Sequence, residues 1–175
     1  MKKIICLLFA AIFIFNCRNA FSQISVVMKA LDGTTKLNGG STVPGHTNEI
    51  DVLSNSQGQD FCTTCAKPSF SDFTFMITLS PAVISFKKLL LNGAKLTSVD
   101  ITFIKGGTTP VTLYKVHMEN VTVTTVQESA SSEIPTIAVS LSPDRVAWQQ
   151  SNIVGTSRSS YGWDIVNNVE WLYAF

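Results

Sequence analysis

Apolar and polar side chains alternate along much of the chain, and the clearest alternation lies in residues 70–79. Its apolar positions are Phe73, Phe75, Ile77 and Leu79, and polar residues stand between most of them. A period of two places successive side chains on opposite faces of a strand. Residues 70–79 are therefore predicted to form a half-buried β-strand.

A single helix is predicted directly after this strand. Ser80 can cap its first turn, and Pro81 suits the first helical position because its missing N–H needs no partner there. The apolar side of this helix is formed by Val83, Phe86 and Leu90. Asn92-Gly93 supplies the left-handed stop.

Further alternating segments predict an antiparallel, mainly β protein. They lie at residues 24–31, 49–54, 98–103, 111–126, 137–141, 146–148 and 161–165. Stretches rich in Gly, Pro, Ser, Thr and Asn predict loops at 33–48, 55–69, 127–133 and 150–160, and Gly106-Gly107 predicts a hairpin turn. We expect the strands to form a β-barrel and the helix to plug or flank it.

The long strand at 111–126 changes phase twice. Its apolar set begins with Tyr114, Val116 and Met118, then moves to Val121 and Val123, and moves again to Val126. A one-residue change of phase turns the later side chains to the other face. We therefore predict bulges near 119–120 and 124–125, which would let the sheet coil.

The N-terminus reads as a bacterial signal peptide, residues 1–22. Two lysines precede an apolar run that is shorter than the about 20 residues of a membrane-spanning helix, and Ala20-Phe21-Ser22 fits a small-x-small cleavage site. A lipid-bearing Cys17 is the weaker alternative, since the large, polar Asn16 precedes it. The predicted organisation is a signal peptide at 1–22, one domain at 23–168 and an aromatic tail at 169–175.

Charge argues against a nucleic-acid partner. The chain has 13 basic and 12 acidic residues, and cleavage after Ser22 would leave ten basic ones. No run of basic residues remains that could form a broad positive face for a phosphate backbone.

Cleavage would also leave only two cysteines, Cys62 and Cys65, in a Cys-Thr-Thr-Cys sequence. An exported chain meets an oxidising compartment, so a local disulfide is the first expectation. Free thiols are the second alternative and a zinc site is the third. A zinc site would need two more ligands, for which His46 and His117 are the candidates.

No pattern in the sequence indicates a catalytic site or a cofactor. Nucleophile elbows, phosphate-binding glycine loops and His-Glu-x-x-His are absent from the sequence. Glu49 and Asp51 share a predicted strand face, which permits an acid–base pair, but a solvated polar face explains them more simply. His117 is interpreted as an exposed strand residue.

The tail is the most unusual surface feature. Val169, Trp171, Tyr173 and Phe175 alternate up to the C-terminus. A closing strand of an outer-membrane barrel ends similarly, but the other strands carry charged residues and leave no lipid-facing apolar band. We expect the tail to pair along a sheet edge or to dock on a neighbouring subunit.

The order of several motifs between residues 24 and 168 resembles the Hcp family, the tube protein of bacterial type VI secretion. The matching stretches are Glu49-Ile-Asp-Val-Leu-Ser54, Phe70-Ser-Asp-Phe73 followed by Ser80-Pro81, Lys87-Lys-Leu-Leu90 and Asn92-Gly93, residues 114–123, and Tyr161-Gly-Trp-Asp-Ile165. The predicted signal peptide departs from the family pattern, because Hcp subunits normally assemble in the cytoplasm.

The resemblance implies a barrel of two antiparallel sheets with one flanking helix. It also implies a hexameric ring that stacks into a tube and carries effectors, with residues 33–48 contacting adjacent rings. Three hypotheses follow from this resemblance and the sequence: a ring-forming structural protein, an exported binding module on the same fold, and, last, an enzyme or redox protein using Cys62 and Cys65.

Overall fold

A computed structural model describes residues 23–107, 109–129, 135–152, 154 and 156–175. The predicted signal peptide, residues 1–22, lies outside the described residues. The described elements are β1 (Ile24–Asp32), β2 (Thr35–Lys36), β3 (Ile50–Ser56), β4 (Gln59–Cys62), β5 (Lys67–Phe70), β6 (Phe73–Thr78), α1 (Ala82–Asn92), β7 (Lys95–Lys105), β8 (Val111–Ser129), β9 (Thr136–Ser142), β10 (Arg145–Ser151), β11 (Arg158–Asp164) and β12 (Val169–Glu170).

Six strands close into an antiparallel barrel. Their order is β8, β7, β1, β3, β6 and β9, and pairing of β9 with β8 completes the ring. The 19-residue β8 makes this closure possible. One of its edges pairs with β7, while the other pairs first with β10 and then, from Thr122 onward, with β9. The predicted mainly β, barrel-like architecture with one helix is confirmed.

Strands β10, β11 and β12 extend from β8 beyond the barrel. We call these three strands together with residues 171–175 the outer extension. β12 has only two residues and pairs with the C-terminal end of β11. The outer extension therefore ends in an edge rather than in another paired strand.

The core lies inside the barrel and is apolar. The alternation in β6 places Phe73, Phe75 and Ile77 inward, and β9 does the same with its apolar residues. Leu79, which was predicted to share that face, is 61% exposed because β6 ends at Thr78 and the chain turns into the helix. The largest fully buried side chains include Phe75, Phe86, Met28, Ile50, Ile77 and Leu96.

Helix α1 places its apolar side against this core, as predicted. Val83 and Phe86 are buried, and Gly93 ends the helix with a φ of 63°, its N–H turned back toward Leu90 O. The predicted cap is wrong, however. Ser80 Oγ is buried without a hydrogen-bond partner, and it is the Ser80 carbonyl that accepts the N–H of Val83.

One of the two predicted bulges is present. The register of β8 with β9 shifts between Val123 and Thr125, as predicted. At Asn120 the register of β8 with β7 does not shift, so the second bulge prediction is wrong. Asn120 instead has a φ of +50°, and buried positions change phase on both β8 and β7 at this point. Both strands exchange their inward and outward faces at the same point, so the pairing continues without the extra residue of a bulge.

All four predicted loops contain strand residues. β2 occupies residues 35–36 of the predicted loop at 33–48. Residues 55–69 contain the end of β3 and a two-stranded hairpin, β4–β5, that forms its own small sheet. β8 runs on to Ser129 into the predicted loop at 127–133, of which residues 130–133 lie outside the described part. β10 and β11 likewise occupy both ends of 150–160. Polar composition concealed these strands because most of their side chains face outward.

Candidate interaction surfaces

His117 lies beneath the C-terminal tail on the outer side of β8. In the strand register it stands between Asp100 of β7 and Ala147 of β10. Its Nδ1 is 2.6 Å from Asp100 Oδ1, its Nε2 is 3.6 Å from Glu119 Oε1, and the residue is only 6% exposed. The prediction of an exposed His117 is therefore wrong, because the tail covers this position.

The tail folds back onto its own chain. β12 pairs with Trp163 and Asp164 of β11, and the Trp171 N–H then donates to the Gly162 carbonyl at 3.0 Å. Beyond that bond the side chains make the contact: the Tyr173 ring stacks on His117 with centroids 4.0 Å apart and planes 10° from parallel. Pairing along a sheet edge is confirmed, and the sheet belongs to the same chain.

Gly162 allows this close approach. A Cβ on Gly162 would lie 2.4 Å from the Trp171 carbonyl oxygen, a distance that real Cβ atoms do not adopt. The glycine of the Tyr161-Gly-Trp-Asp-Ile165 motif therefore admits the tail backbone to the surface of β11.

Arg145 links the tail to the strands below it. Its Nε donates to Asp164 Oδ2 at 2.8 Å, one of its terminal nitrogens lies 3.4 Å from Glu119 Oε2, and its guanidinium lies 5.7 Å from the centre of the Trp171 ring. This geometry combines a charge-assisted hydrogen bond with a cation–π contact. Its bonds to Asp164 and Glu119 raise the pKa of Arg145 despite some desolvation.

Hydrogen bonds hold Asp164 in its charged form. The backbone N–H of Asn167 donates to Oδ1 at 2.8 Å, and the Asn167 side chain and Arg145 donate to Oδ2. These bonds, the Asn167 backbone first, lower the pKa of Asp164 from 3.8 to about 2. Asp164 thereby fixes the turn that leads from β11 to the tail.

The disulfide lies at the end of the β4–β5 hairpin. Cys62 and Cys65 are bonded to each other across the turn. The Cys65 N–H donates to Cys62 Sγ at 3.2 Å, and Thr64 Oγ1 lies 3.4 Å from the same sulfur. Among the described residues no cluster of three or more His, Cys, Asp and Glu could hold a metal ion.

An aromatic groove runs between this hairpin and the outer extension. Its volume is about 370 Å³, and it is lined by Gln59, Phe61, Pro68, Phe70, Trp148, Tyr161 and Trp163. Phe70 and Trp148 stack with their centroids 6.4 Å apart. Phe61 and Tyr161 are more than half exposed, so the groove is open to a partner.

Glu49 and Asp51 do not act as a pair. Glu49 precedes β3, is 8% exposed, and its Oε2 lies 2.8 Å from His46 Nδ1 in the loop between β2 and β3. The interpretation of a solvated polar face is thus wrong for Glu49. This contact instead helps to hold the loop against the barrel.

Sequence reasoning missed the network of Asp100, Glu119, Arg145, Asp164 and Tyr173. These residues lie on β7, β8, β10, β11 and the tail and converge only through strand register. The Tyr161-Gly-Trp-Asp-Ile165 motif and the alternation in the tail were the available signals. Neither signal indicated that the two segments touch.

In the part of the chain that the structure describes, no helix is both long enough and apolar enough to cross a membrane.

Comparison with known proteins gives one family and several structures. The family model described as "Type VI secretion system effector, Hcp" matches residues 28–150, more than half of the chain. No curated protein matches the chain significantly.

The structural matches cover most of this chain and nearly all of each matched chain. Hcp1 from Salmonella typhimurium is 22% identical, with a TM-score of 0.73 and coverage of 85% of this chain and 99% of that one. A type six secretion system protein is 16% identical, with a TM-score of 0.73 and coverage of 85% and 100%. A type VI secretion system effector from Yersinia pestis is 22% identical, with a TM-score of 0.64 and coverage of 79% and 98%. At these identities the likeness shows the fold.

Proposed function

The chain belongs to the Hcp family of type VI secretion proteins, and on that basis we propose that it is a structural subunit whose copies form a hexameric ring and stack into a tube for effector delivery. The match to residues 28–150 is the observation that carries the proposal, because this range runs from β1 into β10. Such a role needs self-complementary surfaces and no catalytic site.

Exposed apolar residues support assembly through more than one surface. They lie on β3, on the outer side of α1, in the turns of the outer extension and in the tail: Leu53, Ile84, Leu91, Val154, Val166 and Leu172. A ring requires head-to-tail contact between two different patches of the same protein. These exposed residues lie on several different elements, which is compatible with this requirement.

The mass of the folded protein in solution tests the proposal. Sedimentation velocity over a concentration series is expected to give a species of six chains, and negative-stain electron microscopy is expected to show rings. A folded protein that stays monomeric at the highest concentration, with no rings on the grid, would contradict it.

The alternative is an exported binding module that uses this fold without forming a tube. The aromatic groove is the observation that favours it, because an open apolar site is typical of a protein that engages a partner. The sedimentation experiment above also tests this alternative: a protein that stays strictly monomeric would support the binding module and contradict the ring.

We further propose export with cleavage after Ser22, followed by a domain at 23–168 and a tail at 169–175. The basic start, short apolar run and small residues at 20–22 support this organisation. Intact-mass measurement of the exported protein is expected to show Gln23 as the first residue. A retained N-terminus, or a lipid on Cys17, would contradict it.

A further inference from the structure

The surroundings of His117 suit a charged imidazole better than a neutral one. Each ring nitrogen faces a carboxylate, Asp100 at 2.6 Å and Glu119 at 3.6 Å. Either neutral tautomer would direct one lone pair at a negative oxygen, whereas the protonated ring offers an N–H to both. Nε2 is buried without a hydrogen-bond partner in the described structure, which is where the second proton would be.

Charged and titratable groups around His117 come from every element packed against it. They are Lys115 and Glu119 on β8, Asp100 on β7, Lys29 on β1, His46 in the loop between β2 and β3, Glu49 just before β3, Arg145 on β10, Asp164 on β11 and Tyr173 in the tail. Arg145 is shared between Asp164 and Glu119, and the carboxylates of Asp100 and Glu119 are the nearest ionic partners of the ring.

The tail closes this arrangement. Tyr173 lies flat on the imidazole and shields it from water on that face. Desolvation, followed by the charges of Asp100 and Glu119, raises the pKa of Tyr173, so the phenol stays neutral at physiological pH. A neutral aromatic ring stacked on a cation gains a cation–π contact that it does not have with a neutral imidazole.

We propose that residues 171–175 form a pH-dependent latch, docked on β8 while His117 is protonated and loosened when His117 loses its proton. Among the described residues, the backbone hydrogen bond that anchors this segment is the one from Trp171 to Gly162, so residues 172–175 depend on side-chain contacts. Docking and proton uptake are linked: docking favours the protonated ring, and protonation favours docking by the same factor. The latch is therefore tight at low pH, where both ring nitrogens carry a proton, and it weakens as pH rises.

Release of Phe175 by a carboxypeptidase tests the latch in the folded protein. The rate is divided by the rate for a free heptapeptide of residues 169–175 at the same pH, which removes the pH dependence of the protease. We expect this ratio to rise about three- to tenfold between about pH 5.5 and pH 8. A ratio that is flat, or that falls with pH, would overturn the proposal.

The two histidines of the chain provide a matched pair of variants. His117→Gln cannot take up a proton, so its ratio is expected to be independent of pH, whether the tail is docked or not. His46→Gln removes the other histidine, which contacts Glu49 and lines a cavity together with Tyr173 and Phe175. If His117 is the group that responds to pH, this variant keeps the wild-type profile. A pH-dependent ratio that persists in His117→Gln, or that disappears only in His46→Gln, would show that a group other than His117 causes the pH dependence. Either result would reject the latch.

Discussion

The barrel and the outer extension are stabilised in different ways. In the barrel each of the six strands has two neighbours, and the interior is filled by fully buried apolar residues such as Phe75 and Phe86. In the outer extension the sheet narrows to the two residues of β12, and a cation–π contact and stacked rings hold the last segment.

This difference predicts two levels of stability within one chain. The apolar core involves many residues and unfolds cooperatively. A tail that is held by a few pairwise contacts can detach while the barrel remains folded. Polar contacts also depend on pH, and apolar burial does so much less. The outer extension is therefore the part that solution conditions can change.

Removing a core aromatic should have the largest effect. Phe86→Ala deletes a fully buried side chain from the inner side of α1 and is expected to reduce the free energy of unfolding by about 3–5 kcal/mol. Urea denaturation followed by circular dichroism measures it. Ile84→Ala on the same helix, where the side chain is 69% exposed, should change it by no more than about 0.5 kcal/mol. Equal losses would mean that α1 does not pack as described.

Gly162→Ala should separate the tail from the barrel. The new Cβ would displace the Trp171 carbonyl and press on Ala147, at an expected cost of about 1–3 kcal/mol. The normalised release of Phe175 should rise at every pH while the barrel remains folded. Ser160→Ala, an exposed position on the same strand, is the control. Unchanged release would show that the tail backbone does not approach Gly162.

Acid should weaken the outer extension through Asp164. Its pKa is about 2 in the folded protein and near its ordinary value of 3.8 in the unfolded chain, so the ionised carboxylate stabilises the folded state above that ordinary value. This contribution should be lost as pH falls from about 4 to 2. The urea midpoint of unfolding, measured across this pH range for the wild-type protein and for Asp164→Asn, gives the size of this contribution. An equal slope in both proteins would exclude Asp164 as the source.

Loss of the disulfide should have the smallest effect on global unfolding. The bond closes a very short loop in a hairpin whose described strands pair with each other, so Cys62→Ser with Cys65→Ser is expected to cost about 2 kcal/mol or less. Hydrogen exchange should instead accelerate within residues 59–70. A large global loss would show that the hairpin supports the barrel.

The sequence determined the strands and the helix because both follow from local periodicity. Alternation at Phe73, Phe75 and Ile77 fixed which side of β6 is buried, and Gly93 fixed where α1 ends. The phase change after Thr124 also indicated a real bulge. These features depend on neighbouring residues in the chain, so periodicity was sufficient.

Only the tertiary structure decided the environment of His117, the position of the tail and the partners of Arg145. Asp100, Glu119 and Tyr173 come from distant parts of the chain, and strand register brings them together. His117 occupies an outward position in its strand, as its alternation indicated, and it is buried because the last residues of the chain cover it. Local pattern specifies which face a side chain takes, but only long-range pairing specifies what lies on that face.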